Sequence, residues 1–215
     1  MKDLITLLSK ERLNSYENIE EHFDNLRLIA RLTPKIATLE IILRNSLDDE
    51  MSKLDNKWIE NSNDEKIIKE LTKIKEREKT ILNHSQYLSR LTLGIVIYKI
   101  RKERLQEKII NLKKIKFKKY DDSNRDYFYF SNGKRSTFNN FDKVDISLSF
   151  LHTLRNRSYH WENILKLRYE NNKVFPRLTT KTKNTLIGLS PQRIETFLDD
   201  LIKCFNKDLI KMCLF

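Results

Sequence analysis

The sequence predicts an all-α fold: a helical bundle over residues 1–215 as one domain, with a small irregular or hairpin insert around residues 117–142. Only three glycines and three prolines punctuate 215 residues. The chain is 33% charged and rich in Leu, Ile, Lys and Glu, which propagate helices where glycine and proline stop them. Apolar residues recur in steps of three and four, the period of one buried helix face. A chain of this length can bury a proper core and suits one large domain better than two.

From the N-terminus, Lys2 to Leu13 reads as a short amphipathic helix ended by the polar turn at Asn14 and Ser15. A longer helical region follows, with Leu26, Ile29, Leu32, Ile36, Leu39, Ile42, Leu43 and Leu47 on one face. Pro34 lacks a backbone donor and disfavours helical geometry at Thr33, so a kink or a junction of two helices is expected there. Residues 55–66 read as a connection, with Asp64 or Ser62 capping a helix over about 65–79. That helix is charged nearly all round and reads as a solvated outer helix or a protruding hairpin. The stretch Tyr87 to Tyr98 is apolar on most sides, as a core helix would be, and Gly94 within it marks a close helix contact.

After Arg101 the chain turns basic through Lys119, and residues 120–142 lose helical period. Asn132-Gly133, between Tyr127-Phe128-Tyr129-Phe130 and Arg135 to Phe138, has the signature of a type I′ turn between short strands. Its aromatics interleave with Lys and Arg and suit either stacking on unpaired bases or covering the helical core; the second use is the one expected. A helix over about 143–169, capped by Asp142 or Asp145, buries Val144, Leu148, Leu151 and Leu154. Val174 to Leu189 reads as a basic loop with Lys181 and Lys183. Ser190-Pro191 then opens a last helix over about 190–213, with Ile194, Phe197, Leu198, Leu201, Ile202 and Phe205 on its apolar face.

The formal charge of +12 makes nucleic acid the first partner to consider, although a lysine-rich background that only aids solubility fits the same number. Cys204 and Cys213 have no paired-cysteine spacing, so no zinc site or disulfide framework is expected and a reducing cytoplasm is. The apolar run Leu4 to Leu8 is too short for a signal-peptide core, and no stretch approaches a membrane span.

Function is concentrated in Leu154-Arg155-Asn156-Arg157-Ser158-Tyr159-His160, which gathers a guanidinium, an amide and an imidazole within six residues. An imidazole moves protons near neutral pH and an arginine fork holds phosphate. On an ideal helix Asn156 and His160 nearly align, whereas Arg155 and His160 stand about 140° apart. They can meet on a phosphate if the arginine wraps round, if the helix ends near His160, or if two copies face each other. Glu40 and Arg44 lie one helical turn apart with Asn45 beside them, either as an ordinary surface pair or as a partly buried one. His22, His84 and His152 are scattered and form no metal cluster.

Three pieces stand in order: Leu39-Glu40-x3-Leu43-Arg44-Asn45, Leu91-Thr92-Leu93-Gly94, and Leu154-Arg155-Asn156-x3-His160-Trp161-Glu162-Asn163-Ile164-Leu165. In this the chain resembles the Abi-like (AbiD/AbiF) proteins of bacterial phage defence, within the HEPN superfamily. The resemblance implies a HEPN-like helical bundle, commonly a homodimer, in which Arg155 and His160 of both copies line a cleft that cleaves RNA without metal or cofactor. It makes Arg155, Asn156 and His160 catalytic, with Glu40, Arg44, Asn45, Arg157 and Trp161 binding RNA or supporting those three. It also implies a toxin or abortive-infection effector restrained by a protein or noncoding-RNA partner. Many family members carry a second histidine where this chain has Trp161. Some HEPN toxins carry a modifiable tyrosine where it has Glu162, so neither feature is expected here. Two other classes stay open: a catalytically silent module holding a structured RNA, and a helical protein-interaction factor.

Overall fold

A computed structural model describes residues 3–170 and 173–213. Its first helices are α1 (Leu4–Leu8), α2 (Lys10–Leu13), α3 (Ile19–Ser52), α4 (Glu65–Glu78), α5 (His84–Arg90), α6 (Leu93–Lys102) and α7 (Gln106–Ile109). A hairpin of β1 (Tyr127–Tyr129) and β2 (Arg135–Thr137) precedes α8 (Asn140–Tyr159). Two further hairpins follow, β3 (Leu167–Glu170) with β4 (Lys173–Pro176) and β5 (Leu178–Thr182) with β6 (Thr185–Leu189). The described chain closes with α9 (Ile194–Phe205) and α10 (Leu209–Met212).

The all-α expectation is overturned. With 58% helix, 11% strand and, among the described residues, three two-stranded antiparallel sheets, the molecule is mixed α/β. One hairpin falls inside the expected insert at 117–142; β3–β4 takes the end of the expected 143–169 helix and the start of the expected basic loop, and β5–β6 takes the rest of that loop. Among the described residues no helix is long and apolar enough to cross a membrane.

The spine is α3. Leu28, Ile29, Leu32, Ile36, Leu39, Leu43 and Leu47 are buried along it, and α6, α8 and α9 pack against that stripe. The helix runs unbroken through Pro34. The carbonyl that loses its partner there belongs to Ala30, which is exposed and can bond water, so the break expected at Thr33 is not needed. On α8, Val144, Leu148, Leu151 and Leu154 are buried as expected, and Phe150 meets Phe197 of α9 edge-on at 5.7 Å.

Several local expectations are corrected. Lys2 to Leu13 is not one helix: Ser9, at φ 64°, separates α1 from α2. α4 is capped by Asp64 but is not solvated all round, because Ile67, Leu71 and Ile74 dock it on the core. Tyr87 to Tyr98 divides at Leu91, and Thr92 caps α6 with its side chain accepting from Ile95 N–H at 3.4 Å. Asn139, not Asp142 or Asp145, caps α8, while Asp142 closes a reciprocal capping box. Asn132-Gly133 does not form a type I′ turn. Only Gly133, at φ 77°, is left-handed, and Gly133 N–H donates to Phe130 C=O at 2.9 Å in a three-residue loop. Ser190-Pro191 opens a single 3₁₀ turn, and α9 and α10 replace one helix to residue 213.

Candidate active site

α8 ends at Tyr159, not near residue 169. Trp161 N–H donates to Ser158 C=O at 3.1 Å and Glu162 N–H to Arg157 C=O at 2.9 Å, the two bonds of a Schellman motif. Trp161 holds the left-handed position at φ 55°, where glycine is usual. A left-handed L-residue costs roughly 1–2 kcal/mol, so the turn has to be fastened from outside. Arg12 Nη1 donates to Trp161 C=O at 2.9 Å. The buried Asn25 side chain donates to Glu162 C=O at 3.1 Å and accepts from Ile164 N–H at 2.9 Å. Asn163 Nδ2 donates to Ser15 C=O at 2.6 Å. The residues after His160 in the motif therefore anchor the helix end to the N-terminal segment and α3.

On another side of α8, Arg155 Nε donates to Glu40 Oε2 at 3.3 Å, and its guanidinium lies 4.6 Å from the Tyr159 ring centroid. Glu40 Oε1 accepts from Arg44 Nη2 at 3.1 Å, and the same Nη2 donates to Leu91 C=O at 3.2 Å. One carboxylate thus ties two guanidiniums from α3 and α8, and all three motif pieces meet there. The pair Glu40–Arg44 is partly buried, at 13% and 15% exposure, and not an ordinary surface pair. Both Nη groups of Arg155, which is 29% exposed, have no hydrogen-bond partner among the described residues.

His160 follows Tyr159 and is exposed at the end of α8, lining an open cleft of about 290 Å³ with Arg12, Tyr16, Trp161 and Arg177. Its backbone N–H donates to Asn156 C=O at 3.0 Å, and its imidazole bonds no described residue. Asn156 does not hold that ring: its Nδ2 donates one turn back to His152 Nε2 at 3.3 Å. His152 sits against bare Gly94, where a Cβ would lie 3.2 Å from Nε2. Burial, then the charges of Arg101 and Arg155, push the His152 pKa down, which suits a neutral ring accepting at Nε2. Arg157 belongs to a separate group, with Arg177 on the same Glu162 carboxylate. Asn45 is exposed and touches none of these groups by hydrogen bond.

The structure therefore brings Glu40, Arg44 and Arg155 together, sets His160 and Trp161 on a neighbouring turn, and leaves Asn45 apart. Tyr159 and His152 are the partners missing from the predicted set. Tyr159 was legible as the residue one turn beyond Arg155. The described residues hold no group of three or more His, Cys, Asp or Glu side chains placed to share a metal ion. Comparison with protein families, with characterised proteins and with solved structures finds no match for this chain.

Proposed function

We propose that the chain is an endoribonuclease that cuts RNA without a metal, by attack of a ribose 2′-hydroxyl on the adjacent phosphate, at a site completed by a second copy of the chain. The observation that supports this best is the state of Arg155. Glu40 and Tyr159 hold its guanidinium in one orientation, yet its two Nη groups stay free to grip a phosphate as a fork. His160, one residue past Tyr159, presents an unengaged imidazole at the cleft.

In this mechanism His160 takes the proton from the 2′-hydroxyl, the O2′–P bond forms, and the Arg155 fork stabilises the charge gathering on the phosphorane. The P–O5′ bond breaks as O5′ receives a proton. One imidazole cannot stand on the attacking and leaving sides in the same step, so the acid is the same histidine of the second copy. The products carry 2′,3′-cyclic phosphate and 5′-hydroxyl ends. The resemblance to Abi-like HEPN proteins extends this to a cytoplasmic phage-defence or toxin effector, restrained by a protein or a noncoding RNA.

The test is incubation of purified protein with end-labelled RNA in excess chelator. Cleavage leaving cyclic phosphate is expected, with His160→Ala slower by about 10²–10⁴-fold and Arg155→Ala by about 10²–10³-fold. His160 is exposed and Arg155 partly so, and both variants should stay folded, which circular dichroism checks. Parental rates in both would overturn the mechanism. One observation favours a second reading, a silent module that holds structured RNA: within one copy no hydrogen bond joins Arg155 to His160. RNA binding without cutting by the unaltered protein would select it.

A further inference from the structure

A second surface, sharing no residue with the site above, lies on the β1–β2 hairpin. β1 alternates as a strand must. Phe128 faces inward, stacked on buried Phe138 with centroids 5.7 Å apart, and Tyr127 and Tyr129 take the other face. Arg135, opposite Tyr129 across the hairpin, lays its guanidinium 3.7 Å from the Tyr127 centroid, and Arg125 approaches the same ring at 5.8 Å. Tyr129 meets Tyr127 edge-on at 5.6 Å and remains 48% exposed, while Phe130 at the strand end is 49% exposed.

Core packing explains Phe128 and Phe138, and Phe130 meets Phe128 edge-on at 5.0 Å; it does not explain why about half of Tyr129 and of Phe130 stays exposed. Open hollows flank Tyr129, one of about 500 Å³ bordered by Phe130 and Lys183, the other of about 490 Å³ bordered by Arg125 and Phe175. Each is within the size range of small-ligand clefts. Two nearby carboxylates are engaged: Asp142 pairs with Lys183 at 2.7 Å, and Asp126 accepts from Phe117 N–H at 2.6 Å. Arg125, Lys134, Arg135 and Lys181 form no ion pair among the described residues.

We infer that this hairpin is a binding platform for an unpaired stretch of RNA, with bases stacking on Tyr129 and Phe130 and phosphates running over Arg125, Lys134 and Arg135. Bases within a duplex have both faces covered, so exposed rings among free cations suit single strands. The choice of RNA over DNA rests on the proposed cleavage; the stacking does not.

The experiment is fluorescence anisotropy of a short labelled oligouridine RNA in chelator, on full-length His160→Ala protein so that cutting does not intrude. Adding Tyr129→Ala or Phe130→Ala should weaken binding about tenfold each, Tyr129→Phe should preserve it, and duplex RNA of equal length should compete about tenfold less well. Binding by the Tyr129→Ala/Phe130→Ala protein within about twofold of its parent, or equal competition by duplex, would overturn the platform. The two ideas fail separately. Ring-dependent binding by a protein whose unaltered form cuts no RNA would remove the nuclease and keep the platform. Cutting with ring-independent binding would do the reverse.

Discussion

Two parts of one motif are fastened by opposite means. The turn after α8 is held mainly by buried neutral amides, with Asn25 and Asn163 bonding the backbone of residues 162–166 and of Ser15, beside single guanidinium bonds from Arg12 to Trp161 C=O and from Arg177 to Asn163 C=O. Arg155 is held by charge, through a Glu40 carboxylate that also serves Arg44. Buried amides fix where the backbone goes, because any unpaired partner would be stranded away from water. A partly exposed ion pair adds less stability but fixes the direction of a guanidinium. The helix end is thus fixed in position mainly by neutral groups, and the Arg155 guanidinium is aimed by a charged one.

Breaking the amide side should produce the largest loss of stability. Asn25 is fully buried, and its amide also donates to Tyr16 Oη at 3.1 Å. Asn25→Ala strands Glu162 C=O and Ile164 N–H and releases the strained Trp161 turn, at a cost of roughly 3 kcal/mol. Urea unfolding measures it, and a change below about 1 kcal/mol would show that the turn holds itself.

Breaking the charged side should act less on stability and more on the proposed RNA cutting. Glu40→Gln keeps shape and one acceptor oxygen but removes the charge shared by Arg44 and Arg155. Stability should fall by about 1–2 kcal/mol, less than for Asn25→Ala, since the group is neither fully exposed nor fully buried. RNA cutting at saturating substrate should fall roughly tenfold with binding little changed, as expected when a fork loses orientation and not reach. If binding falls and the saturated rate holds, Glu40 does not position Arg155.

The same contrast explains what was legible in the sequence. The spine of α3 and the stripe of α8 were readable because most apolar steps of three or four correspond to a buried residue; on α3 the exceptions are Leu26 and Ile42, which are half-buried, and Leu28, which is buried off the expected face. Glu40 and Arg44 were readable as a pair from their spacing of four, but their link to Arg155 was not, since no spacing rule joins residues 40 and 155. The end of α8 was hidden because Trp161 occupies the place where glycine signals a stop. The β5–β6 hairpin was hidden for a related reason. Its two-residue turn uses Lys183 and Asn184, at φ 43° and 63°, without glycine, while the Asn132-Gly133 pair that resembles such a turn makes a longer loop. The Thr179, Thr180 and Thr182 run was the remaining signal, a β-branched series easily read as polar linker. The aromatics expected to cover the core divide, with Phe128 inside and Tyr129 half outside, because a strand sends neighbours to opposite faces.

A third fastening on α3 sharpens the contrast with the smallest expected effect. His84 places Nε2 2.9 Å from Asp48 Oδ1 and Nδ1 2.7 Å from Glu60 Oε2, and Trp58 Nε1 donates to the same Asp48 oxygen at 2.8 Å. Both ring nitrogens can donate only when the imidazole is protonated. Burial lowers the His84 pKa, but the bonds to Asp48 and Glu60, with their charges, outweigh it and raise the pKa above the ordinary value. A pKa higher in the folded state than in the unfolded one means that folding favours the proton. The stabilisation is therefore complete below the unfolded value, about 6.5, and is lost as pH rises through the raised folded value. The stability difference between the parent and His84→Gln should be under about 1 kcal/mol and shrink as pH rises across that window. The Asn25→Ala difference should stay constant over the same range, because an amide does not titrate. Urea unfolding of both variants across pH makes the comparison. A His84→Gln difference that is flat with pH would mean that the imidazole serves as a neutral donor, leaving charge no part in holding this end of α3.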